Sequence, residues 1–204
     1  MRTLEEALAD GRRHEVPSEL ARASRRLAER ADAAGLVEVA YATVDSPLGS
    51  LIAAATPRGL VRLAYDINRL DAVLEELSGR LSPRIVEWPA RLDPVRRELD
   101  EYFSGERREF GVAVDWALVR GFGRQVLAET ARIPFGQVST YREVARAAGS
   151  PRGMRAAGNA LGANPIPIVV PCHRVLRTGG GLGGYTGGIE RKEFLLGLER
   201  GANR

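Results

Sequence analysis

Soft metal ligands and oxidisable pairs are almost missing from this sequence. One cysteine, Cys172, and two histidines, His14 and His173, occur in 204 residues. An internal disulfide is therefore excluded, and a four-ligand structural zinc site is not supplied. Lysine occurs once, as Lys192, so the basic charge is nearly all arginine, a bias that genome composition explains more readily than function. No apolar run approaches the ~20 residues that a bilayer span requires. The opening residues, Met1-Arg2-Thr3-Leu4-Glu5-Glu6, bring acids where a signal peptide has its apolar core. These absences lead us to expect a cytoplasmic, soluble chain that needs neither metal nor cofactor.

Hydrophobic residues make up 44% and charged residues 27%, which fits a packed protein and argues against disorder or a fibrous repeat. The length allows one large domain or two small ones. The net charge of +4 hides an asymmetry: from Trp116 onward there are 13 basic and 5 acidic residues (+8), against 17 and 21 before it (−4). That switch fits a polyanionic partner for the second half, and equally an uneven surface.

Residues 1–36 are charged and alanine-rich, with helical spacing at Leu20, Leu27, Ala31 and Ala34; we read them as a helical N-terminal extension. From Val37 the pattern alternates through Tyr41, turns at Pro47-Leu48-Gly49, resumes at Leu51-Ile52-Ala53, turns at Arg58-Gly59 and continues to Tyr65. Short strands between such turns predict an antiparallel meander. Asp71 to Leu77 reads as a helix. Asp93-Pro94 reads as the start of another that ends near Phe103. Val112 to Trp116 reads as a strand closing a first domain over 37–115. The remainder, 116–204, is helical in pattern. Phe122 to Ile133 is followed by the turn Pro134-Phe135-Gly136, and Thr140-Tyr141-Arg142-Glu143 is a capping box. A helix then ends at Gly149, and Ser150-Pro151 is read as starting a second that ends near Gly162. Two short helices across a tight turn are the helix-turn-helix pattern.

The second of these helices is nearly bald. Gly153, Ala156, Ala157, Gly158, Ala160 and Gly162 leave Arg152, Arg155 and Asn159 as its reaching polar groups. Interior glycines each cost about 1 kcal/mol relative to alanine, so something approaches closely: a neighbouring helix or a ligand. Were it DNA, such a helix would bind backbone and groove shape with little sequence preference.

Beyond it, the apolar run from Asn164 to Pro171 ends in Cys172-His173-Arg174 and reads as a buried strand meeting a turn. A lone cysteine is commonly an inert small hydrophobe; here His173 and Arg174 are expected to favour the nucleophilic thiolate. A Cys–His contact requires a local departure from strand geometry, because neighbours on a strand face opposite ways. Thr178 to Gly188 carries seven glycines around Leu182, Tyr185 and Thr186. It lacks the Lys-Ser/Thr ending of a phosphate-binding loop, and fits better as a snug loop lining a pocket.

Pro171-Cys172-His173-Arg174-Val175, with Asn164 eight residues before the cysteine, Tyr185 thirteen after it and Glu199 twenty-seven after it, resembles the active-site signature of the O6-alkylguanine-DNA alkyltransferases. The resemblance spans about residues 37–200. It implies an α+β fold of two domains, a ribonuclease-H-like domain followed by a winged-helix-like, helix-turn-helix domain. It also implies direct reversal of DNA damage, with O6-alkylguanine in duplex DNA as substrate, O4-alkylthymine as a second candidate, and location at cellular DNA. By the same resemblance Cys172 is the alkyl acceptor. His173 is the base acting on the thiol through a water, and Glu199 orients that histidine. Tyr141 protonates the departing guanine, and Asn164 is the hinge between recognition helix and active-site loop. Arg155 is the finger that fills the gap left by an extruded base, with Arg152, Ala156 and Gly158 beside it at the DNA. The backbone of Cys172 and Val175 holds the guanine amine, Leu161, Tyr185 and Thr186 line the alkyl pocket, and Lys192 lies near it.

The sequence departs from that pattern in several places. Residues 1–36 precede the usual start, and Met154 stands where a small groove-facing residue is expected. Thr186 and Leu161 replace serine and a larger unbranched side chain, which bears on the alkyl groups admitted. The cysteines with which some members bind zinc are absent. Relatives that only flag lesions lack the cysteine, so Cys172 speaks against that reading. Two further readings are a winged-helix regulator, which would need base-reading side chains on its helix, and a Cys-His-Glu hydrolase, which would turn over repeatedly.

Overall fold

The computed structural model describes residues 18–202; residues 1–17 of the charged extension, His14 among them, lie outside the described residues. The chain falls into two units, one up to Val37 and one from Glu38 onward. In the first, helix α1 (Ser18–Ala33) ends where Gly35 takes φ 66°. There the amides of Gly35 and Leu36 return to the carbonyls of Asp32 and Ala31, each at 2.8 Å, which satisfies carbonyls the helix end would leave open.

The second unit opens with the expected meander, β1 (Val39–Val44), β2 (Leu51–Thr56) and β3 (Gly59–Tyr65), paired antiparallel in sequence. Helix α2 (Leu70–Arg80) follows, and then a strand not anticipated, β4 (Ile85–Glu87). It pairs parallel with β1 through Val39–Ile85 and Ala40–Val86, so the sheet is mixed, in the order β3-β2-β1-β4. Three residues behind Ser82-Pro83 are too few to show alternation. β2 is buried along its whole length. Ile52 and Ala54 pack with Val39 and Val61 under Val73 and Leu77 of α2, while α3 (Pro89–Phe103) covers β1 and β2 with Leu92, Val95 and Leu99 buried. The alanines at 53–55 are fully or almost fully enclosed.

Helix α3 starts at Pro89, not at Asp93-Pro94, and Pro94 sits inside it. A proline already occupies the first helical position, and the added turn buries Leu92 to 1% exposure. That burial is worth about 1.5–3 kcal/mol, comparable to the ~3 kcal/mol cost of an interior proline. The expected strand over Val112–Trp116 is also corrected. It is an irregular segment making one isolated parallel bridge, Leu60–Val114, followed by a 3-10 turn at Trp116–Leu118. Gly59 is required where this segment crosses, because a Cβ there would lie 2.2 Å from the Ala113 carbonyl oxygen.

The second half is α4 (Gly121–Ala131), β5 (Ser139–Thr140), α5 (Tyr141–Ala147), α6 (Met154–Gly162), β6 (Val175–Leu176) and α7 (Ile189–Gly201). α4, α5 and α6 pack on one another, and β5 pairs parallel with β6. Both arms of the Thr140–Glu143 capping box are formed. Helix α6 starts at Met154, later than Ser150-Pro151 suggests. Ser150 to Gly153 instead form a turn closed by the Gly153 amide on the Ser150 carbonyl at 2.8 Å, with Arg152 in the turn rather than on the helix. The apolar run 164–171 is buried as expected, but it is no strand. Prolines at 165, 167 and 171 remove ladder donors, Ile168 takes φ 74°, and the run docks through the Leu63 amide, which donates to the Pro165 carbonyl at 2.8 Å.

Candidate active site and nucleic-acid interface

Cys172, His173 and Arg174 form a single 3-10 turn, the departure from strand geometry that lets neighbours point in different directions. Cys172 borders a cavity of about 400 Å³ together with Tyr141, Gly158, Leu161, Gly162, Gly184, Tyr185 and Thr186. His173 and Arg174 turn inward. His173 Nε2 lies 2.9 Å from Glu199 Oε1, and the Arg174 guanidinium grips both carboxylate oxygens at 2.8–3.1 Å. Tyr102 Oη donates to Glu199 Oε1 at 2.8 Å, and the Gly136 amide to Oε2 at 3.0 Å.

Burial of Glu199 alone would raise its carboxyl, yet hydrogen bonds from His173 and Arg174 outweigh that and hold it at about 2. An ionised carboxylate only accepts, so His173 carries its proton on Nε2. Its Nδ1 is then a lone pair, buried and without a protein partner. Burial also keeps the imidazole below its ordinary range, and so neutral. No hydrogen bond joins His173 to Cys172 directly among the described residues.

The thiol differs from expectation. Burial pushes Cys172 up to about 11, against the opposing effects of an Asn164 hydrogen bond and the Lys192 charge. Arg174, expected to favour a thiolate, is committed to Glu199 and to the Ile133 carbonyl. Burial therefore keeps the resting sulfur protonated at neutral pH, so reaction there needs a base. Asn164 Nδ2 donates to Cys172 Sγ at 3.1 Å and to the Val170 carbonyl at 2.9 Å, while its Oδ1 accepts from the Ile166 amide at 3.0 Å. One buried amide thus joins the end of α6 to the cysteine turn.

Tyr141 opens α5 with its hydroxyl 3.4 Å from the Gly184 carbonyl, and burial raises its phenol, so the proton stays on. Gly183 lies so close that a Cβ would meet Tyr141 Oη at 2.6 Å. Thr186 Oγ1 donates to the Gly162 carbonyl at 2.5 Å, tying the glycine loop to the end of α6. Val175 and Lys192 are buried and are not among the residues lining the cavity. Lys192, lowered to about 8 by burial, donates to the carbonyls of Val175 and Leu182 at 2.6 and 2.5 Å.

Helix α6 buries only Ala157 and Leu161. Met154, Arg155, Ala156, Asn159 and Gly162 are exposed, as is Arg152 in the preceding turn. A Cβ at Gly158 would meet the Tyr141 ring at an ordinary 3.8 Å. Of its small residues Ala156 and Gly162 face outward, whereas Ala157 is buried and Gly153, Gly158 and Ala160 are half-buried, so the baldness lets α6 pack closely on α4 and α5 as well as leaving a low outer face. Sequence reasoning missed Tyr102 and the Gly136 amide as partners of Glu199. Tyr102 extends the buried stripe Leu92, Val95, Leu99, and a tyrosine on such a stripe needs a partner for its hydroxyl; that was the available signal.

The ribonuclease-like domain of the 6-O-methylguanine DNA methyltransferases matches residues 39–116, and their DNA-binding domain matches 121–201. The methylated-DNA–protein-cysteine methyltransferase of Mycolicibacterium paratuberculosis is 40% identical over 167 residues, covering 79% of this chain and 93% of its own. The inducible Bacillus subtilis enzyme of the same name is 37% identical, covering 74% and 84%. The crystal structure of Mycobacterium tuberculosis OGT in complex with DNA superposes with a TM-score of 0.67 at 36% identity, covering 80% of this chain and 94% of that one. With both domain models matched in order and such relatives aligned along most of their length, the chain belongs to the 6-O-methylguanine DNA methyltransferase family.

Proposed function

We propose that this chain extrudes an O6-alkylguanine from duplex DNA and moves the alkyl group to Cys172 once per molecule. The observation that carries this reading is a buried thiol at a cavity opening beside an exposed, side-chain-poor helix. The +8 charge of the second half and a solved relative bound to DNA support duplex DNA as the partner. An alkyl group on O6 is enclosed in the stacked duplex, so its base has to leave the helix, at about a few kcal/mol. The small outward residues Ala156 and Gly162 of α6 admit close approach to a minor groove, and Arg155, which has no partner among the described residues, enters the stack in place of the lost base.

In the cavity the Cys172 sulfur attacks the alkyl carbon as its proton leaves toward the Nδ1 side of His173. The carbon–O6 bond breaks, its electron pair returns to the purine, and Tyr141 gives the purine a proton. The Cys172 proton replaces the one Tyr141 gave up. Sulfur gains a carbon and guanine a hydrogen, so the step balances without a cofactor. A thioether offers water no route back.

Mass spectrometry after mixing with O6-methylguanine duplex tests this. One methyl per chain, on the peptide bearing Cys172, is expected; multiple turnover overturns it. Arg155→Ala separates extrusion from plain binding. Loss of an ordinary phosphate contact would weaken DNA binding and lower the salt slope by about one. We expect instead a single-turnover rate on saturating duplex reduced at least about tenfold more than on free O6-benzylguanine, which needs no unstacking. Equal deficits on both would remove Arg155 from that role.

A further inference from the structure

Tyr65, the last residue of β3, lies outside every segment that the chemistry above uses, yet it reaches the cavity wall. Its hydroxyl is 2.7 Å from the hydroxyl of Tyr185. The two rings meet edge to face, with centroids 6.1 Å apart. The Arg191 guanidinium of α7 sits 4.9 Å over the Tyr65 ring, and the same arginine donates to the carbonyls of Gly187 and Leu48. Tyr65 is thus held on one face by a cation and at its tip by Tyr185. Gly187 completes the arrangement. A Cβ there would lie 2.6 Å from Tyr65 Cε2 and 2.9 Å from Tyr185 Cε1, so both rings close over a position that only hydrogen leaves free.

We infer that Tyr65 is a positioning residue that fixes the ring of Tyr185 and so sets how large an alkyl group the Cys172 cavity accepts. Tyr185 transmits the effect. It forms part of the cavity wall, on a loop that contains seven glycines between Thr178 and Gly188 and makes little regular structure. Such a loop holds a side chain in one place only if something outside it does so. Burial raises both phenols, so both hydroxyls keep their protons and remain a donor–acceptor pair. One hydroxyl donates and the other accepts, so neither is left as a buried polar group without a partner. Removing the Tyr65 hydroxyl would leave that of Tyr185 unsatisfied, and the ring would move to find another partner. The hydrogen bond costs the cavity freedom: a pinned ring admits a methyl group and resists a flat, bulky one.

The inference rests on the alkyl-transfer reading, and the experiment keeps the two apart. Single-turnover rates are measured with full-length wild type, Tyr65→Phe and Gly187→Ala on free O6-methylguanine and free O6-benzylguanine, so that DNA binding does not enter. We expect the benzyl-to-methyl rate ratio to rise about fivefold or more in both variants, because both release the Tyr185 ring, one at its tip and one at its flank. Tyr185→Phe should shift the ratio in the same direction, and Tyr65→Phe added to it should change the ratio no further, the non-additivity expected of one shared contact. A defect that merely loosened the fold would slow both substrates alike and leave the ratio unchanged; that result overturns the inference. Unfolding midpoints of the two single phenylalanine variants and the double variant provide a readout independent of transfer. Non-additive midpoints show the hydroxyl pair coupled, and additive midpoints overturn it. Absence of transfer by the wild type would instead overturn the functional reading itself.

Discussion

Cys172→Ser should lose alkyl transfer to O6-methylguanine DNA by more than about 10⁴-fold while binding the duplex as the wild type does. Serine is close to cysteine in shape, and its oxygen can accept the Asn164 amide that now donates to Sγ, so the joint between α6 and the cysteine turn survives. What it cannot supply is a soft nucleophile. The thiol is already held at about 11 by burial, and a hydroxyl is far harder to deprotonate. Cys172 is 5% exposed and lies beneath the cavity rather than on the outward face of α6, so DNA affinity has no reason to change. The measurement is a pair of titrations, one of methyl transferred and one of duplex bound. Loss of both would show a damaged fold; retention of transfer would move the acceptor elsewhere.

Glu199→Ala should be the most destabilising single substitution at this site. Five hydrogen-bond donors converge on that carboxylate, from Tyr102, Gly136, His173 and twice from Arg174. Truncation leaves a buried guanidinium uncompensated, and breaking a buried pair in this way costs about 3–5 kcal/mol. Glu199→Gln retains the shape and should cost less, while still slowing transfer, because a neutral amide no longer dictates which ring nitrogen of His173 holds the proton. Acid separates the two contributions. Glu199 drops from 4.5 unfolded to about 2 folded, so its charge stabilises the fold above pH 4.5, and that stability is lost as pH falls toward 2, on the order of 3 kcal/mol in all. His173, also lowered, acts in the same sense, because the unfolded chain takes up its proton first as pH falls below 6.5. Denaturant midpoints should therefore fall with acid in the wild type, and the gap between wild type and Glu199→Gln should close below pH 4.5. A gap that widens there would contradict the assignment.

The sequence made some of this legible for identifiable reasons. The meander β1–β3 followed from turns whose glycines and prolines stand between short apolar runs, and α5 from a capping box that closes through its own side chains. Neither depends on the rest of the chain. The misreadings all depended on it. Pro94 looks like a helix start until Leu92 is known to be buried, and β4 has no pattern until β1 is there to pair with it. Residues 164–171 read as a strand because burial and strand composition coincide, and three prolines prevent the ladder that composition suggests. At the site, the signature around Cys172 carried its residue types, but the protonation of the thiol did not follow from adjacent cations. Arg174 lies next in sequence and still spends its charge on Glu199, 25 residues away. Tyr65 and Tyr102 come from the first half of the chain, and no spacing within the signature points to them.

The hydrogen bond from Leu63 to Pro165 has a consequence for solubility. β3 is an outer strand of the sheet, and such strands recruit other chains through unpaired amides and carbonyls. Here the gaps are occupied from within: the Leu60 amide by Ala113, the Leu60 carbonyl by Asp115 and the Leu63 amide by Pro165. Pro165 belongs to the segment that ends at Cys172, so the cysteine loop also shields a strand containing the buried Leu60, Val61 and Leu63. Any event at the sulfur large enough to lift that loop would bare an adhesive strand border.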